Sequence, residues 1–276
     1  MTASARKKKP DLIEPHLENR STTMNGKLNG TVALVTGASS GIGAAAARAL
    51  AAQGATVAVV ARRKDRLDAL VTGIEKDGGT ALAVEADITE REHATRAVQE
   101  TVDAYGRLDI LVNNAGLMLL GPVVGADADA WDRMIAVNVE GLLYTTDAAL
   151  PHLLAAAGTG PRQVADIVNI SSLAGRRSFG GAGVYSLTKF GVNAFSESLR
   201  QEVTRRHVRV GVIEPGSVAT ELASHNPPEI RSEMIDPFHD METLAPEDVA
   251  DSVTYMVTRP RHMAVNELLV LPTEQV

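Results

Sequence analysis

Short runs of apolar, mostly β-branched residues alternate from residue 29 onward with longer amphipathic or alanine-rich stretches. The runs are almost continuously apolar, which is typical of strands that are covered on both faces. Seven strands are predicted: Val32–Thr36, Thr56–Ala61, Ala81–Asp87, Asp109–Asn114, Asp166–Ser171, Arg209–Pro215 and Glu267–Pro272. Six helices are predicted between them: Ile42–Gln53, Lys64–Asp77, Glu90–Tyr105, Ala130–Leu154, Tyr185–Arg206 and Pro246–Thr258. This alternation predicts one doubly wound α/β domain with a mostly parallel sheet and helices on both faces.

Two segments fall outside the alternation. Residues 1–28 have mixed charge and no period, so they predict a flexible N-terminal extension before a domain that spans residues 29–276. Residues 217–243 contain Pro227, Pro228 and Pro237 and have no clean period either. They predict an irregular helical substrate flap beyond the carboxyl end of the sixth strand, the edge where open α/β sheets bind ligands.

Composition and charge exclude several classes of function. The chain has no cysteine, so disulfides, thiolate metal sites and cysteine nucleophiles are excluded, and its seven scattered histidines predict no metal site. The net charge of −7 argues against nucleic-acid binding. No apolar run approaches the roughly 18 residues of a membrane span, and the basic start lacks the apolar stretch of a secretory signal. A cytoplasmic location is expected.

A glycine-rich turn follows the first strand directly and reads TGASSGIG from Thr36 to Gly43. Glycines at this spacing permit a tight turn, a close approach of the backbone to a pyrophosphate and close packing of the next helix. Backbone N–H groups at the start of that helix then face the phosphates. The turn predicts a Rossmann-type dinucleotide site formed by Gly37, Ser39, Ser40, Gly41, Ile42 and Gly43.

The spacing of this turn resembles that of the short-chain dehydrogenase/reductase family, and the resemblance spans residues 29–276. Residues 113–116 read NNAG and residues 215–220 read PGSVAT, in the family's order. The resemblance implies a cofactor lined by Asp87 and Ile88 at the adenine, by Asn114, Ala115 and Gly116, and by Pro215, Gly216, Val218 and Thr220 at the nicotinamide. The stretches NNAGLMLLGPV and LPTEQV resemble the bacterial branch that includes clavulanic acid dehydrogenase and NADP-dependent serine or 3-hydroxy acid dehydrogenases.

The end of the second predicted strand indicates which nicotinamide cofactor binds. A carboxylate at this position would hold the free ribose 2′-hydroxyl and repel a 2′-phosphate. The chain instead has Arg62, Arg63 and Lys64, with no acid before Asp65. Because Arg62 can offer a planar fork to a phosphate, NADP(H) is predicted. The alternative is that these cations only solvate the start of the next helix.

Tyr185 and Lys189 lie four residues apart on a predicted helix and therefore share one face. A tyrosine with a pKa of about 10 is a poor acid or base near neutrality. Lowering that pKa by roughly three units requires about 4 kcal/mol, which nearby Lys189 and an oxidised nicotinamide could provide. The family resemblance implies a tetrad of Asn138, Ser172, Tyr185 and Lys189. The spacing to Tyr185 favours Ser172 over its neighbour Ser171.

In this tetrad, Ser172 would orient the substrate oxygen, Tyr185 would exchange its proton, and Lys189 would hold the ribose and lower the pKa of the tyrosine. Asn138 would hold a relay water. The sequence thus predicts an NADP(H)-dependent oxidoreductase that interconverts a small aldehyde or ketone and its alcohol, and the family implies a homotetramer or homodimer. The alternatives are an NADP(H)-sensing protein without turnover and a sugar epimerase or dehydratase. Arg176 and Arg177 either meet a substrate carboxylate or are solvated.

Overall fold

Seven strands form one sheet in residues 26–235 and 241–275, the part of the chain that this computed structural model describes. They are β1 (Val32–Thr36), β2 (Thr56–Ala61), β3 (Thr80–Glu85), β4 (Ile110–Asn113), β5 (Ala165–Ile170), β6 (Val208–Pro215) and β7 (Glu267–Val270). Their order is β3-β2-β1-β4-β5-β6-β7, and every neighbouring pair is parallel. The strand order reverses between β1 and β4, so the ligand crevice of such a sheet lies at their carboxyl ends.

Helices cover both faces of this sheet, as predicted. They are α1 (Gly41–Ala52), α2 (Lys64–Lys76), α3 (Arg91–Tyr105), α4 (Ala128–Ile135), α5 (Gly141–Thr159), α6 (Gly183–Val203), α7 (Pro228–Ile230) and α8 (Pro246–Val257). Ala33 and Val35 of β1 join a core with α1, α2 and α8, whereas Val32 and Leu34 join a second core with α3, α5 and α6. Burial on both faces explains why the strands are continuous apolar runs. Within the described ranges, no helix is long and apolar enough to cross a membrane.

The prediction of a single continuous helix over residues 130–154 is wrong, because the structure has two helices there. α4 begins after Asp127, whose carboxylate caps it by accepting a hydrogen bond from the N–H of Asp129. A π-helical turn over Ala136–Glu140 then separates α4 from α5. Such a turn changes the apolar period too little to be visible in the sequence, although π turns are frequent at functional sites. This one carries Asn138.

The boundary predicted for the N-terminal extension is also wrong by a few residues. Residues 1–25 of that segment lie outside the described part of the chain. Leu28, however, is fully buried, its N–H donates to the carbonyl of Gln53 at 2.9 Å, and its own carbonyl accepts from Thr31. The core therefore begins before residue 29. A single leucine among polar residues has no period that would reveal its burial.

The segment after β6 is irregular and partly helical, as the prolines predicted. Val218 forms an isolated bridge to Leu244, and between them lie a 3₁₀ turn over Glu221–His225, the short α7 and a π-helical turn over Arg231–Ile235. Residues 236–240 of the predicted flap, including Pro237, lie outside the described residues. The bridge closes the base of this segment.

Candidate active site

One cavity of about 790 Å³ runs along the carboxyl ends of the strands. Nearly every site residue predicted from the sequence lines it: Gly37, Ser39, Ser40, Gly41, Ile42, Arg62, Arg63, Asp87, Ile88, Asn114, Ala115, Gly116, Ser172, Tyr185, Lys189, Pro215, Gly216, Val218 and Thr220. Gly43 and Asn138 do not line it and act from behind its wall. Among the described residues, no three His, Asp or Glu side chains converge as a metal site would require.

The glycine turn forms an open cradle at the start of α1. Gly37 has a φ of +66°, and a Cβ added to it would lie 2.6 Å from the Cα of Ala115. A Cβ added to Gly43 would lie 2.4 Å from the side-chain nitrogen of Asn114, so α1 and the NNAG turn pack together only because this residue is glycine. The first turn of α1 contains no acidic residue, and Ser40 does not cap it with its side chain. This helix end is therefore suited to a pyrophosphate.

The NNAG turn is bound to the end of β1 by a set of hydrogen bonds. The Thr36 hydroxyl accepts from the N–H groups of Asn114 and Ala115, both at 3.1 Å, and the Asn114 amide donates to the Thr36 carbonyl at 2.9 Å. Deeper in the sheet, the Asn113 amide donates to Thr146 and Asn169. These bonds fix the floor of the cavity between β1 and β4.

The two arginines after β2 differ in their surroundings. The Arg62 side chain is 73% exposed and lies 3.7 Å from a carboxylate oxygen of Asp87. Arg63 instead donates from its guanidinium to the hydroxyls of Ser39 and Ser40 at 2.8 and 2.9 Å. Arg63 therefore brings a positive charge to a glycine turn whose own sequence holds only serines at these positions. The more exposed Arg62 is the better placed of the two to receive a further anion.

Glu221 is a residue of the site that sequence reasoning missed. Its carboxylate accepts from Arg63 at 2.9 Å and from Arg66 at 2.6 Å. Hydrogen bonds from these two guanidinium groups lower the pKa of Glu221 to about 2. The ion pairs join the flap side of the cavity to the start of α2. The only signal in the sequence was that Glu221 directly follows Thr220 of the PGSVAT segment.

The end of the cavity that holds Ser172, Tyr185 and Lys189 lies between β5 and α6. Tyr185 is only 6% exposed, and Ser172 is its hydrogen-bond partner. Lys189, 5% exposed, donates from Nζ to the carbonyl of Ile170 at 2.9 Å and lies 5.9 Å from the centre of the Tyr185 ring. Ser171 also lines the cavity, but its hydroxyl donates to the carbonyl of Lys189 at 3.3 Å. The structure thus places Ser172, and not Ser171, beside the tyrosine.

The lowered pKa expected for Tyr185 is not found in this structure. Burial raises the pKa of Tyr185 above 10, and the hydrogen bond with Ser172 offsets only part of that rise. Burial also lowers the pKa of Lys189 to about 8. Desolvation explains both shifts, because each side chain is more easily buried in its neutral form. The direction of this shift favours the protonated form of Tyr185.

Asn138 contributes from behind the cavity wall. Its carbonyl oxygen accepts from the N–H of Leu117 at 2.7 Å, and its amide donates to the Leu117 carbonyl and to the Thr188 hydroxyl. Both N–H donors of the amide are thus used within the protein. The side chain joins the NNAG loop to α6 next to Lys189. Any contact of this residue with a relay water falls to its side-chain oxygen or to its backbone carbonyl.

The structure gives different positions to Arg176 and Arg177, for which the sequence left two alternatives open. Arg176 turns away from the cavity, where it donates to the buried carboxylate of Glu214 at 2.5 Å and pairs with Glu267 at 2.9 Å. Arg176 does not line the cavity, so the substrate contact is not supported, whereas its side chain is 39% exposed, in keeping with the solvated alternative, and is at the same time paired with Glu214. Arg177 lines the cavity together with Phe179. The sequence analysis did not single out Glu214, although a carboxylate within an apolar strand is unusual unless it is paired.

The far end of the cavity is mainly apolar. Leu120, Phe179, Met234 and Ile235 line it, all from loops or from the flap. His225 also lines the cavity, and burial, followed by the nearby charge of Arg63, lowers the pKa of this imidazole. The sequence predicted that residues 217–243 lie near the substrate, but without a periodic pattern it did not show which of them line the cavity.

Comparison with known proteins establishes the family. The short chain dehydrogenase family model matches residues 31–230. Over 253 residues the chain is 39% identical to the glycine betaine reductase ATRR of Emericella nidulans, covering 91% of this chain but only 19% of that much longer protein. It is 35% identical to an uncharacterized oxidoreductase of Staphylococcus aureus, with 89% of this chain and 98% of that protein covered.

Solved structures agree with these relatives. The closed form of a serine dehydrogenase in complex with NADP+ has a TM-score of 0.81 and 33% sequence identity, and the match covers 89% of this chain and 96% of the other. The family match spans most of the described domain and includes the glycine turn, the NNAG turn and the Tyr185–Lys189 pair. The chain belongs to the short-chain dehydrogenase family and is one of its oxidoreductases.

Proposed function

We propose that this protein is an NADP(H)-dependent oxidoreductase that interconverts a small aldehyde or ketone and the corresponding alcohol. The observation that carries the proposal is the position of Ser172, Tyr185 and Lys189 on one wall of the cavity, while the glycine cradle lies on another. A protein that only senses a dinucleotide needs the cradle but has no use for a buried tyrosine and lysine beside it.

The lining of the cavity fits a phosphorylated dinucleotide. The open start of α1 suits the pyrophosphate, and Arg62 suits a 2′-phosphate because its guanidinium is largely exposed at the end of β2. The carboxylate of Asp87 beside it is engaged by the N–H and hydroxyl of Thr89, at 3.1 and 2.8 Å. NADPH supplies the hydride when it is bound. The serine dehydrogenase with the similar fold binds NADP+, which supports the same choice.

The side chains at the other end carry out the proton transfer. The hydroxyl of Ser172 orients the carbonyl oxygen of the substrate, and Tyr185 donates its proton to that oxygen during reduction. The raised pKa of Tyr185 keeps the proton available at neutral pH. The ammonium group of Lys189 then stabilises the phenolate that remains, and it serves the ribose hydroxyls. In alcohol oxidation the same groups act in reverse.

The proposal includes the homotetramer or homodimer that the family resemblance implies. α6 presents apolar side chains to solvent in the single chain, since Leu187 is 62% and Phe190 is 44% exposed. A second copy packed on this helix would cover both. A cytoplasmic location stays an expectation from the sequence.

The proposed function is tested by following NADPH oxidation with a panel of aldehydes and ketones that includes β-lactam-type aldehydes and 3-oxo acids. We expect turnover of at least one of them, with NADH a much poorer cofactor. Binding of NADPH without turnover of any carbonyl or alcohol would contradict the enzyme and favour a dinucleotide-binding protein. Equal use of NADH would contradict the proposed role of Arg62 and leave the proton-transfer residues unaffected.

A further inference from the structure

A carboxylate is buried completely beneath the turn that carries Ser172. Glu214, on β6, has 0% exposure. One of its oxygens accepts from the guanidinium of Arg176 at 2.5 Å, and the other accepts from the amide of Asn193 at 2.7 Å. Asn193 lies on α6, one helical turn beyond Lys189. None of these three side chains has a role in the proton transfer described above.

Stability alone is a poor explanation for this arrangement. Removing a carboxylate from water is costly, and a buried ion pair is often no more stable than apolar side chains of the same volume. Glu214 lies in a strand whose neighbours Val212 and Ile213 are apolar and buried. An apolar residue would thus fit the local pattern, and what the charge adds is a fixed geometry for its donors.

The partners of Glu214 fix the far end of the Ser172 turn. The 3₁₀ turn Leu173–Gly175 is internally hydrogen-bonded, with the N–H of Gly175 donating to the carbonyl of Ser172 at 2.8 Å. The Asn193 amide donates to the carbonyl of Gly175 at 3.1 Å as well as to Glu214. Asn193 therefore ties this turn to α6, which also carries Tyr185.

Close packing leaves this end of the turn little room to move. A Cβ added to Gly175 would lie 2.7 Å from the hydroxyl of Ser171 and 3.0 Å from the amide of Asn193. The hydroxyl of Ser172 is in turn fixed by the N–H of Ala174, which donates to it at 3.1 Å. A change at Glu214 is thereby transmitted through a few short hydrogen bonds to the serine beside Tyr185.

We propose that Glu214 is a positioning residue of the active site, which holds the Ser172 turn against α6 through Arg176 and Asn193. The same contacts decide that Arg176 points away from the cavity and that Arg177, the next residue, lines it. This inference rests on the proposed function, since it assigns Glu214 to the reaction that Ser172 and Tyr185 perform.

The test is Glu214→Gln, which keeps the volume and removes the charge. A misplacement of roughly 1 Å at a reacting group costs up to about 100-fold, so we expect kcat for carbonyl reduction to fall at least about tenfold. The dissociation constant for NADPH, measured by fluorescence, stays within about twofold because no cofactor contact changes. Loss of the Ser172 contact also raises the pKa of Tyr185, so the pH profile of alcohol oxidation, which needs the phenolate, moves to higher pH.

Two further variants separate positioning from general stabilisation. Glu267→Gln removes the other carboxylate that pairs with Arg176. The Glu267 side chain is 56% exposed and does not touch Asn193, so we expect kcat and the pH profile to be unchanged. In a Ser172→Ala background, Glu214→Gln adds little further loss, because the group that it positions is already gone. If Glu214 had a purely structural role, Glu214→Gln would lower kcat by the same factor with Ser172 present and in the Ser172→Ala background.

Arg176→Lys replaces Glu214→Gln as the test if the latter variant does not unfold cooperatively. The lysine keeps the positive charge but lacks the planar guanidinium. We expect the same shift of the pH profile with a smaller loss of kcat. An active wild-type enzyme whose kcat and pH profile are unaltered by these changes overturns the role of Glu214 and leaves the proposed function in place. An inactive wild-type protein overturns the proposed function itself.

Discussion

At one end of the cavity, Tyr185 and Lys189 are 6% and 5% exposed, whereas at the other end the side chain of Arg62 is 73% exposed. The buried end is held by short hydrogen bonds to backbone carbonyls and to neighbouring side chains, such as that from Lys189 to Ile170. The exposed end is held by ion pairs between side chains that reach into solvent, such as Arg63 with Glu221.

This difference teaches which physical effect governs each end. Buried polar groups act in a low dielectric, where their positions and pKa values are set by desolvation and by a few fixed partners. Exposed charges act in water, where salt screens them and each contact contributes little. We therefore expect the buried end to control turnover and the exposed end to control the affinity for cofactor.

The largest effect is expected from Tyr185→Phe. Losing the hydroxyl removes the proposed proton donor, so kcat should fall by at least about 100-fold, the usual scale of general acid catalysis. The ring still packs, and the dissociation constant for NADPH should change little. Steady-state rates and a fluorescence titration measure both. Tyr255→Phe, on the exposed side of α8, is the matched control and should behave like the wild type.

A second prediction concerns pH and the buried lysine. The pKa of Lys189 is about 8 in the folded protein, against 10.5 for a lysine exposed to water in the unfolded chain. Between these values the unfolded chain binds the extra proton, so the free energy of unfolding rises with pH, by up to about 3 kcal/mol. Lys189→Met should lose this rise. Denaturant unfolding without cofactor at pH 8 and pH 10 measures the free energy of unfolding of both proteins. If that free energy changes equally with pH in the wild type and in Lys189→Met, the lowered pKa of Lys189 is contradicted.

A smaller effect is expected at the exposed end from Arg62→Asp. Losing a charge-assisted hydrogen bond to the 2′-phosphate costs roughly 1.5–3 kcal/mol, and the new carboxylate adds repulsion. KM for NADPH should rise more than about tenfold, with a smaller change in kcat. Arg205→Asp introduces the same charge change before β6, at the opposite edge of the sheet, and should leave KM unaltered. A KM that does not move in Arg62→Asp would remove Arg62 from the cofactor site.

The smallest effect is expected from salt. Raising the ionic strength from about 0.05 M to about 0.5 M shortens the screening length severalfold and weakens exposed ion pairs. KM for NADPH should therefore rise a fewfold while kcat stays nearly constant. A fall in kcat as large as the rise in KM would show that the two ends of the cavity do not differ as described.

The sequence was sufficient to predict two local features of the site. Tyr185 and Lys189 lie four residues apart on one helix and so share a face, and the glycine turn follows a strand and opens a helix. Ser172 and Asn138 were identified only through the family resemblance. The register of the parallel strands then brings their carboxyl ends together. The fold could be predicted for the same reason, since an apolar strand followed by an amphipathic helix allows few alternatives.

The sequence was insufficient where the partner lies far along the chain. Arg63 meets Glu221 across 158 positions, and Arg176 meets Glu214 across 38. Nothing local distinguishes Arg62 from Arg63 or Arg176 from Arg177, because neighbouring residues point in different directions only once the chain has folded. The π turn at Asn138 and the burial of Leu28 were hidden for a related reason, since a single residue does not alter a period.

The account is tested most directly by measuring kcat and the NADPH dissociation constant for Tyr185→Phe and Arg62→Asp side by side. The expected result is a crossed pattern, in which the first variant loses turnover and keeps binding while the second loses binding and keeps most of its turnover at saturating cofactor. The account would be contradicted by substantial turnover in Tyr185→Phe. It would also be contradicted if both variants lost turnover and NADPH affinity to a similar degree.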